Sequence, residues 1–332
     1  MGCVNTVKNS SGQGIRLTCD SRNHVTSLTD PLGRTVTYTY DSAGNLTQVR
    51  DVAGAVRRYA YDNHGVLNSV TGPDGVRTTY KIDKEFRVTE LSGDNGVSRT
   101  TFQFDAALPQ VTVTDASGAL SVTTYNANGN PLTIRDELGG VTTNEYDDAG
   151  LLLATTNPNG QRTSYAYNEF GEVVTVTGPS GQRTEFMRDP ASGQITSVTD
   201  SKGRKTALEY DERGNRTAVV YPDGAVERLT HDSAGNVISR TDRMGRTVRY
   251  AYTERGDLLS RTYLDGKRID YSYDGRGNLV SIVNQDGALV MAYDANDRCV
   301  SVRTPTGQTV GYAYDNAGRR SKLTYPDGTS VE

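Results

Sequence analysis

The sequence predicts an all-β fold, built as about fifteen tandem β-hairpins of ~21 residues in one long, curled antiparallel sheet. Three observations lead there. A Tyr-Asp-x-x-Gly phrase returns at a nearly fixed interval through 332 residues, each interval holds two glycine turns, and the segments between turns alternate in polarity as strands do.

The repeat is the first element to justify. Anchored on Tyr40, equivalent positions fall at 19, 40, 61, 82, 104, 125, 146, 167, 188, 210, 231, 252, 273, 293 and 314. Eleven of the fourteen intervals are 21 residues, so the usual length prior of two domains yields to a single array. Ten anchors are Tyr, and the others are Cys19, Ile82, Phe104, Arg188 and His231.

The turns come next. After the anchor stands Asp-x-x-Gly, as in Asp41 to Gly44, Asp62 to Gly65, Asp147 to Gly150, Asp211 to Gly214, Asp274 to Gly277 and Asp315 to Gly318. Asp at the first position and Gly at the fourth suit a type I turn, in which the carboxylate accepts from the backbone two residues on and Gly takes the left-handed conformation. Half a period later comes a second turn, read as Asp30-Pro31-Leu32-Gly33, Asn157 to Gly160, Gly178 to Gly181 and Tyr221 to Gly224. Between turns lie strand-length segments. In the longer one Val36, Tyr38 and Tyr40 point one way and Thr35, Thr37 and Thr39 the other; the shorter one is Val-rich, as in Leu46 to Val49.

Hairpins joined this tightly must pair edge to edge, which gives about 30 strands and roughly 140 Å of sheet at about 4.8 Å per strand. Open twisted sheets rarely exceed about ten strands without curling, so the wall is expected to spiral around a space its own side chains do not fill. One face should carry a Tyr/Val band and the other Thr, Ser, Arg and Glu. The expected organisation is a lead-in over 1–11 and a continuous array over 12–332, an uncapped part of a larger shell.

Composition excludes several classes. The hydrophobic share is 35% and mean hydropathy is -0.59, too polar for a conventional dense core, yet 20 Tyr with many Val and Thr argue against disorder. A formal charge of -4 gives no pull toward nucleic acid or anionic membrane. No apolar run reaches the roughly 20 residues of a membrane helix, and no signal peptide is visible. Cys3, Cys19 and Cys299 are expected as small buried thiols, with no disulfide framework and no metal-ligand spacing. Met1 to Thr6 matches a myristoylation pattern, but so short a match carries little.

The units Tyr40-Asp41-Ser42-Ala43-Gly44-Asn45, Tyr210 to Asn215 and Tyr273 to Asn278, with the intervening Asp30-Pro31-Leu32-Gly33-Arg34, resemble the YD repeats of Rhs proteins over nearly the whole chain. That resemblance implies a spiralling shell around a variable C-terminal toxin domain, as in bacterial Rhs effectors often exported by type VI secretion and in the C components of Tc toxins; teneurins use a similar barrel for adhesion. It further implies a noncatalytic shell segment without cofactor or metal. Its partners would be the rest of the shell, the enclosed toxin domain and a secretion spike or chaperone, and it would be cytoplasmic before delivery from the cell. An adhesin or glycan-binding wall and an autoproteolytic core are the alternatives.

The candidate cargo- or ligand-facing residues are Tyr38, Tyr40, Tyr59, Tyr61, Tyr165, Tyr167, Tyr250, Tyr252, Tyr271, Tyr273, Tyr312 and Tyr314. Other look-alikes have turn or repeat explanations. Asp30 to Gly33 resembles a family cleavage site but fits the second turn. Arg255-Gly256-Asp257 spells an adhesion tripeptide in the column of Arg213-Gly214-Asn215, and two of the three sequons, at Asn9, Asn45 and Asn215, arise from the Gly-Asn column. His24, His64 and His231 fall in three different columns, and Asp147-Asp148 and Asp294-Asn296-Asp297 lack a calcium-loop spacing.

Overall fold

A computed structural model describes residues 4–8, 14–94, 98–105 and 107–332. Among the described residues there are 32 strands and no helix. Each strand pairs antiparallel with its neighbours in sequence, from Thr6–Lys8 on Gly14–Cys19 through to Arg320–Thr324 on Ser330–Val331. The fold is therefore one unclosed meander. The expected lead-in contributes to it, because Thr6–Lys8 adds a strand at the start.

Both sets of turns share one hairpin geometry. At Asp41 to Asn45 the Gly44 amide donates to the Asp41 carbonyl at 3.1 Å and the Asp41 amide donates to the Asn45 carbonyl at 3.0 Å, and Gly44 has φ of 92°. This is a type I turn closed by a left-handed residue, the usual three-residue hairpin loop. The second turn repeats it at Asp30 to Arg34. The two kinds of turn lie at opposite ends of the hairpins, so the sheet has two rims: one of Tyr-Asp-x-x-Gly turns, here the anchor rim, and one of Pro-containing turns, here the proline rim.

The ladder is uneven. The long strand Thr35–Tyr40 pairs forward with Leu46–Arg50 through a bulge between Thr39 and Tyr40. Backward, it pairs with Val25–Thr29 over three residues only, Thr35 to Thr37, all near the proline rim. Toward the anchor rim the same two strands part, and the bulge adds to the local twist that bends the wall.

The wall curls on itself. Arg34, beside a proline-rim turn, reaches Asp297 on an anchor-rim turn at 2.9 Å, and Asp74 meets Arg319 at 3.2 Å in the same sense. About 24 strands separate the two sides of this seam. At about 4.8 Å each they make a circumference near 115 Å and a diameter of roughly 37 Å. Barrels of eight strands are filled by their own side chains and barrels of 16 to 22 leave channels or plugged lumens, so a turn of this width is hollow.

Surface and burial agree. The accessible surface is 20868 Å², whereas a compact 36.0 kDa protein exposes about 13,000 Å². Ala154, Ala218 and Val219 are the buried hydrophobic residues, and no large side chain is fully enclosed among the described residues. Stability must come from the ladder, the turns and two half-covered faces. One expectation fails: Cys19 is disulfide-bonded, while Cys299 keeps a free thiol. Antiparallel pairing lays Thr6–Lys8 alongside Gly14–Cys19, a proximity that spacing in the sequence does not reveal.

Candidate functional site

The anchor column explains why the repeat prefers tyrosine. Where the backward ladder stops short, the first carbonyl of the preceding short strand has no strand partner on that side. The anchor hydroxyl fills the gap: Tyr40 donates to Val25 O at 3.0 Å, Tyr61 to Leu46 O at 2.8 Å, Tyr167 to Leu152 O at 2.7 Å, Tyr252 to Val237 O at 2.9 Å, Tyr273 to Leu258 O at 3.0 Å and Tyr314 to Cys299 O at 2.8 Å. Tyr146, Tyr210 and Tyr293 do the same. The exception at Arg188 keeps the chemistry, since its Nε donates to Val173 O at 3.3 Å. His231 does not: its Nδ1 is buried without a partner. Six of the twelve predicted tyrosines are thus bonded to the wall itself. Burial pushes the Tyr167 phenol above its ordinary value, with Tyr165 and Asp147 adding to the shift.

The second tyrosine column sits two residues earlier on the same face. Among the described residues, the hydroxyls of Tyr38, Tyr59, Tyr165, Tyr250, Tyr271 and Tyr312 have no hydrogen-bond partner, and all six residues are half-buried. Their cross-strand neighbours are aliphatic in most units, as in Tyr38 with Val49, Tyr59 with Val70 and Tyr165 with Val176. Two units differ, because Arg240 and Arg261 stand in the aliphatic column. Arg240 pairs with Glu227, which is 7% exposed, at 2.7 Å, and Arg261 lies over the Tyr271 ring at 5.7 Å. The opposite face is lined along its midline by small residues; Ser69, Ala154, Ser197, Ala218 and Ser260 are all buried there.

The turn aspartates make more bonds than their sequence signature suggests. Asp41 Oδ1 accepts from the Ala43 amide and from the Asn45 amide, both at 2.9 Å, and its Oδ2 accepts from Asn45 Nδ2 at 3.0 Å. Where Arg replaces Asn, Nε takes the same place, as in Arg34 to Asp30 at 2.6 Å and Arg246 to Asp242 at 2.7 Å. The residue after Gly is therefore part of the turn, and the sequence reading missed it although the Gly-Asn and Gly-Arg columns were visible. Asp62, Asp211 and Asp315 also cap their turns, and Asp147 Oδ1 accepts from Leu151 N at 2.8 Å. At Asp274 burial opposes ionisation, but the backbone and side chain of Asn278 and those of Arg276 outweigh it and hold the carboxyl down at about 2.

A ladder of bonds also runs along the anchor rim. Arg213 Nη1 donates to Ser233 O at 3.1 Å, Arg276 Nη1 to Asp294 O at 2.8 Å and Arg255 Nη1 to Gly275 O at 3.4 Å, each about one repeat ahead. Arg255 of the adhesion tripeptide is thus a rim tie. The carboxylate of Asp30 is occupied by the Leu32 and Arg34 amides and the Arg34 side chain. His24 stacks on Tyr40 at 4.7 Å and faces Asp20, far along the rim from His231. No group of three or more metal-ligating side chains occurs among the described residues. Met1 to Cys3 of the myristoylation match and the Asn9 sequon lie outside the described residues.

The profile of the Teneurin YD-shell family matches residues 94–298, and the RHS Repeat profile matches 20–56, 40–79 and 293–330. No curated protein matches the chain. Among solved structures, the TcdB2-TccC3 complex without its hypervariable C-terminal region is similar at 17% identity and a TM-score of 0.58, covering 96% of this chain and 19% of that one. The Photorhabdus luminescens Tc holotoxin pore is similar at 15% identity and a TM-score of 0.57, covering 96% of this chain and 22% of that one. The chain thus spans about a fifth of the length of these structures, and at such identities the likeness shows the fold.

Proposed function

The chain belongs to the Teneurin YD-shell family, and we propose that it forms part of a hollow wall enclosing a polypeptide cargo, a C-terminal toxin domain in proteins of the Rhs type. The observation that carries this reading is the seam, where proline-rim turns meet anchor-rim turns about 24 strands later. A hydrogen-bonded wall closed around a domain blocks its substrate sterically and needs no catalytic group. A lumen of such width also needs a lining that touches a guest without trapping it. The second tyrosine column suits that role, since large amphipathic rings with free hydroxyls offer adaptable contacts. The anchor tyrosines serve the wall, so cargo contact falls to Tyr38, Tyr59, Tyr165, Tyr250, Tyr271 and Tyr312.

The remaining partners follow from the same reading: further repeats completing the shell, and a secretion apparatus or chaperone that exports it from a bacterial cell. The test is electron cryomicroscopy and limited proteolysis of the protein expressed from its whole gene, with a photoreactive residue in place of Tyr165. Enclosed density, a protease-resistant C-terminal segment and cross-links from position 165 to that segment are expected. An empty lumen with a freely digested C-terminal segment refutes encapsulation. Cross-links to an external partner instead favour an adhesive wall.

A further inference from the structure

The seam is chemically unlike the rest of the wall. No strand pairing crosses it, and strands contact only their sequence neighbours among the described residues. What joins the two sides is turn against turn. Arg34 Nη1 bonds Asp297 Oδ2 at 2.9 Å and approaches Ala295 O at 3.5 Å, while Arg319 meets Asp74 at 3.2 Å. Beside these contacts lies a cleft of about 330 Å³ bordered by Ala53, Pro73, Asn296 and Asn316, so the joint is not packed shut.

Asp297 is also out of place in its own repeat. It occupies the column that holds Gly44, Gly65, Gly214 and Gly277, and its φ is 61°, a left-handed conformation that glycine adopts without cost and that Asp, like Asn, enters more readily than other residues with side chains. Two other non-glycine residues share that conformation, Asn23 and Phe86. Asn tolerates it, and the Phe86 side chain is 77% exposed. The Asp297 side chain, by contrast, is held on three sides. Oδ1 accepts from Asn278 Nδ2 at 2.8 Å and pairs with Arg276 at 3.2 Å on its own rim, while Oδ2 takes Arg34 from one full turn away. A carboxylate that stands in a glycine column and is engaged on both sides of the seam points to a role for that side chain.

We propose that Asp297 is a latch of the wall: together with the Asp74–Arg319 pair its carboxylate ties one turn of the spiral to the next, and release of these ion pairs opens the lumen along the seam without unfolding any hairpin. The inference rests on the hollow-wall reading. The latch is a half-exposed ion pair, with side-chain exposures of 29% for Arg34 and 38% for Asp297, and such pairs weaken as salt screens them. The hairpins on either side are held by backbone ladders that salt leaves intact. The seam is therefore the part of the molecule that opens first, giving a lateral route into the lumen controlled by ionic strength.

The test measures distances between spin labels introduced through noncanonical residues in the full chain. One pair, at Thr39 and Ala292, spans the seam on exposed positions of one face and is expected near 30 Å, about one hairpin length. The second pair, at Thr39 and Ala166, spans half a turn, where a curled wall gives about 40 Å and a flat one about 60 Å. Asp297→Asn combined with Asp74→Asn, which keeps both backbones and removes both seam carboxylates, is expected to lengthen and broaden the first distance by 10 Å or more and leave the second near 40 Å. Wild type in 1 M salt should shift the same way, and Asp297→Gly combined with Asp74→Asn should do so with hairpin amide protection unchanged. A first distance unmoved in both variants overturns the latch. A second distance near 60 Å in the wild type overturns the hollow wall itself.

Discussion

Replacing Tyr167 by Phe removes one oxygen and tests why the anchor is tyrosine. The hydroxyl donates to Leu152 O at 2.7 Å, across the part of the sheet where strand pairing has ended. A neutral hydrogen bond of this kind contributes about 1 kcal/mol net, and the stranded carbonyl, half-open to water, recovers part of its loss by hydration. The ring is retained, so no cavity forms. Because a tandem array is stabilised by interfaces between neighbouring units, the loss should stay local. Amide exchange in Leu152–Thr156 and Arg162–Tyr167 should accelerate about fivefold, the equivalent of about 1 kcal/mol, while distant hairpins keep their protection. Tyr165→Phe is the control, since that hydroxyl has no partner, and it should change exchange by less than about twofold. Equal effects of the two substitutions, or silence of both, refute the assignment of the anchor hydroxyl as an inter-hairpin tie. The natural exception offers a complement: Arg188→Tyr should be tolerated, because a phenol can take over the bond to Val173 O.

Three further outcomes follow from the turns and the anchors. Asp274, held at about 2 against an ordinary value of 3.8, favours the folded state fully above pH 4, and its contribution should fade as pH drops from about 4 to 2. Asp41, Asp62, Asp211 and Asp315 are shifted down as well, so amide protection at the anchor rim, taken relative to intrinsic exchange at each pH, should fall together in acid, and an acid-insensitive rim would contradict the capping bonds. The anchors work in the opposite direction. Burial raises the phenols of Tyr40, Tyr61, Tyr252 and Tyr273, so the folded state holds their protons more tightly and stability should fall as pH rises beyond about 10, read by urea midpoints across that range. Finally, Phe86→Gly should raise the urea midpoint by the equivalent of about 1 kcal/mol, because the exposed ring offers little packing while its φ of 61° carries left-handed strain; a lower midpoint would mean that the ring packs.

The repeat was fully legible in the sequence because its causes are local. Asp30, Pro31 and Gly33, or Asp41 and Gly44, set a turn within four residues, and alternation of Val36, Tyr38 and Tyr40 against threonines sets a face within six. The Cys19 disulfide was not legible, since the pairing that lays Thr6–Lys8 beside Gly14–Cys19 is a tertiary contact. Nor was the difference between the two tyrosine columns. Tyr38 and Tyr40 share a face and a residue type, and they part only because the backward ladder ends between them, leaving Val25 O for one hydroxyl to meet. Asp297 reads as drift in a glycine column until the wall comes round to place Arg34 against it. The sequence by itself determined hairpins, turns and faces. Tertiary structure decided the curl of the wall onto itself, because a turn of about 24 strands sums some 15° of bend per strand, a small angle that no single residue specifies.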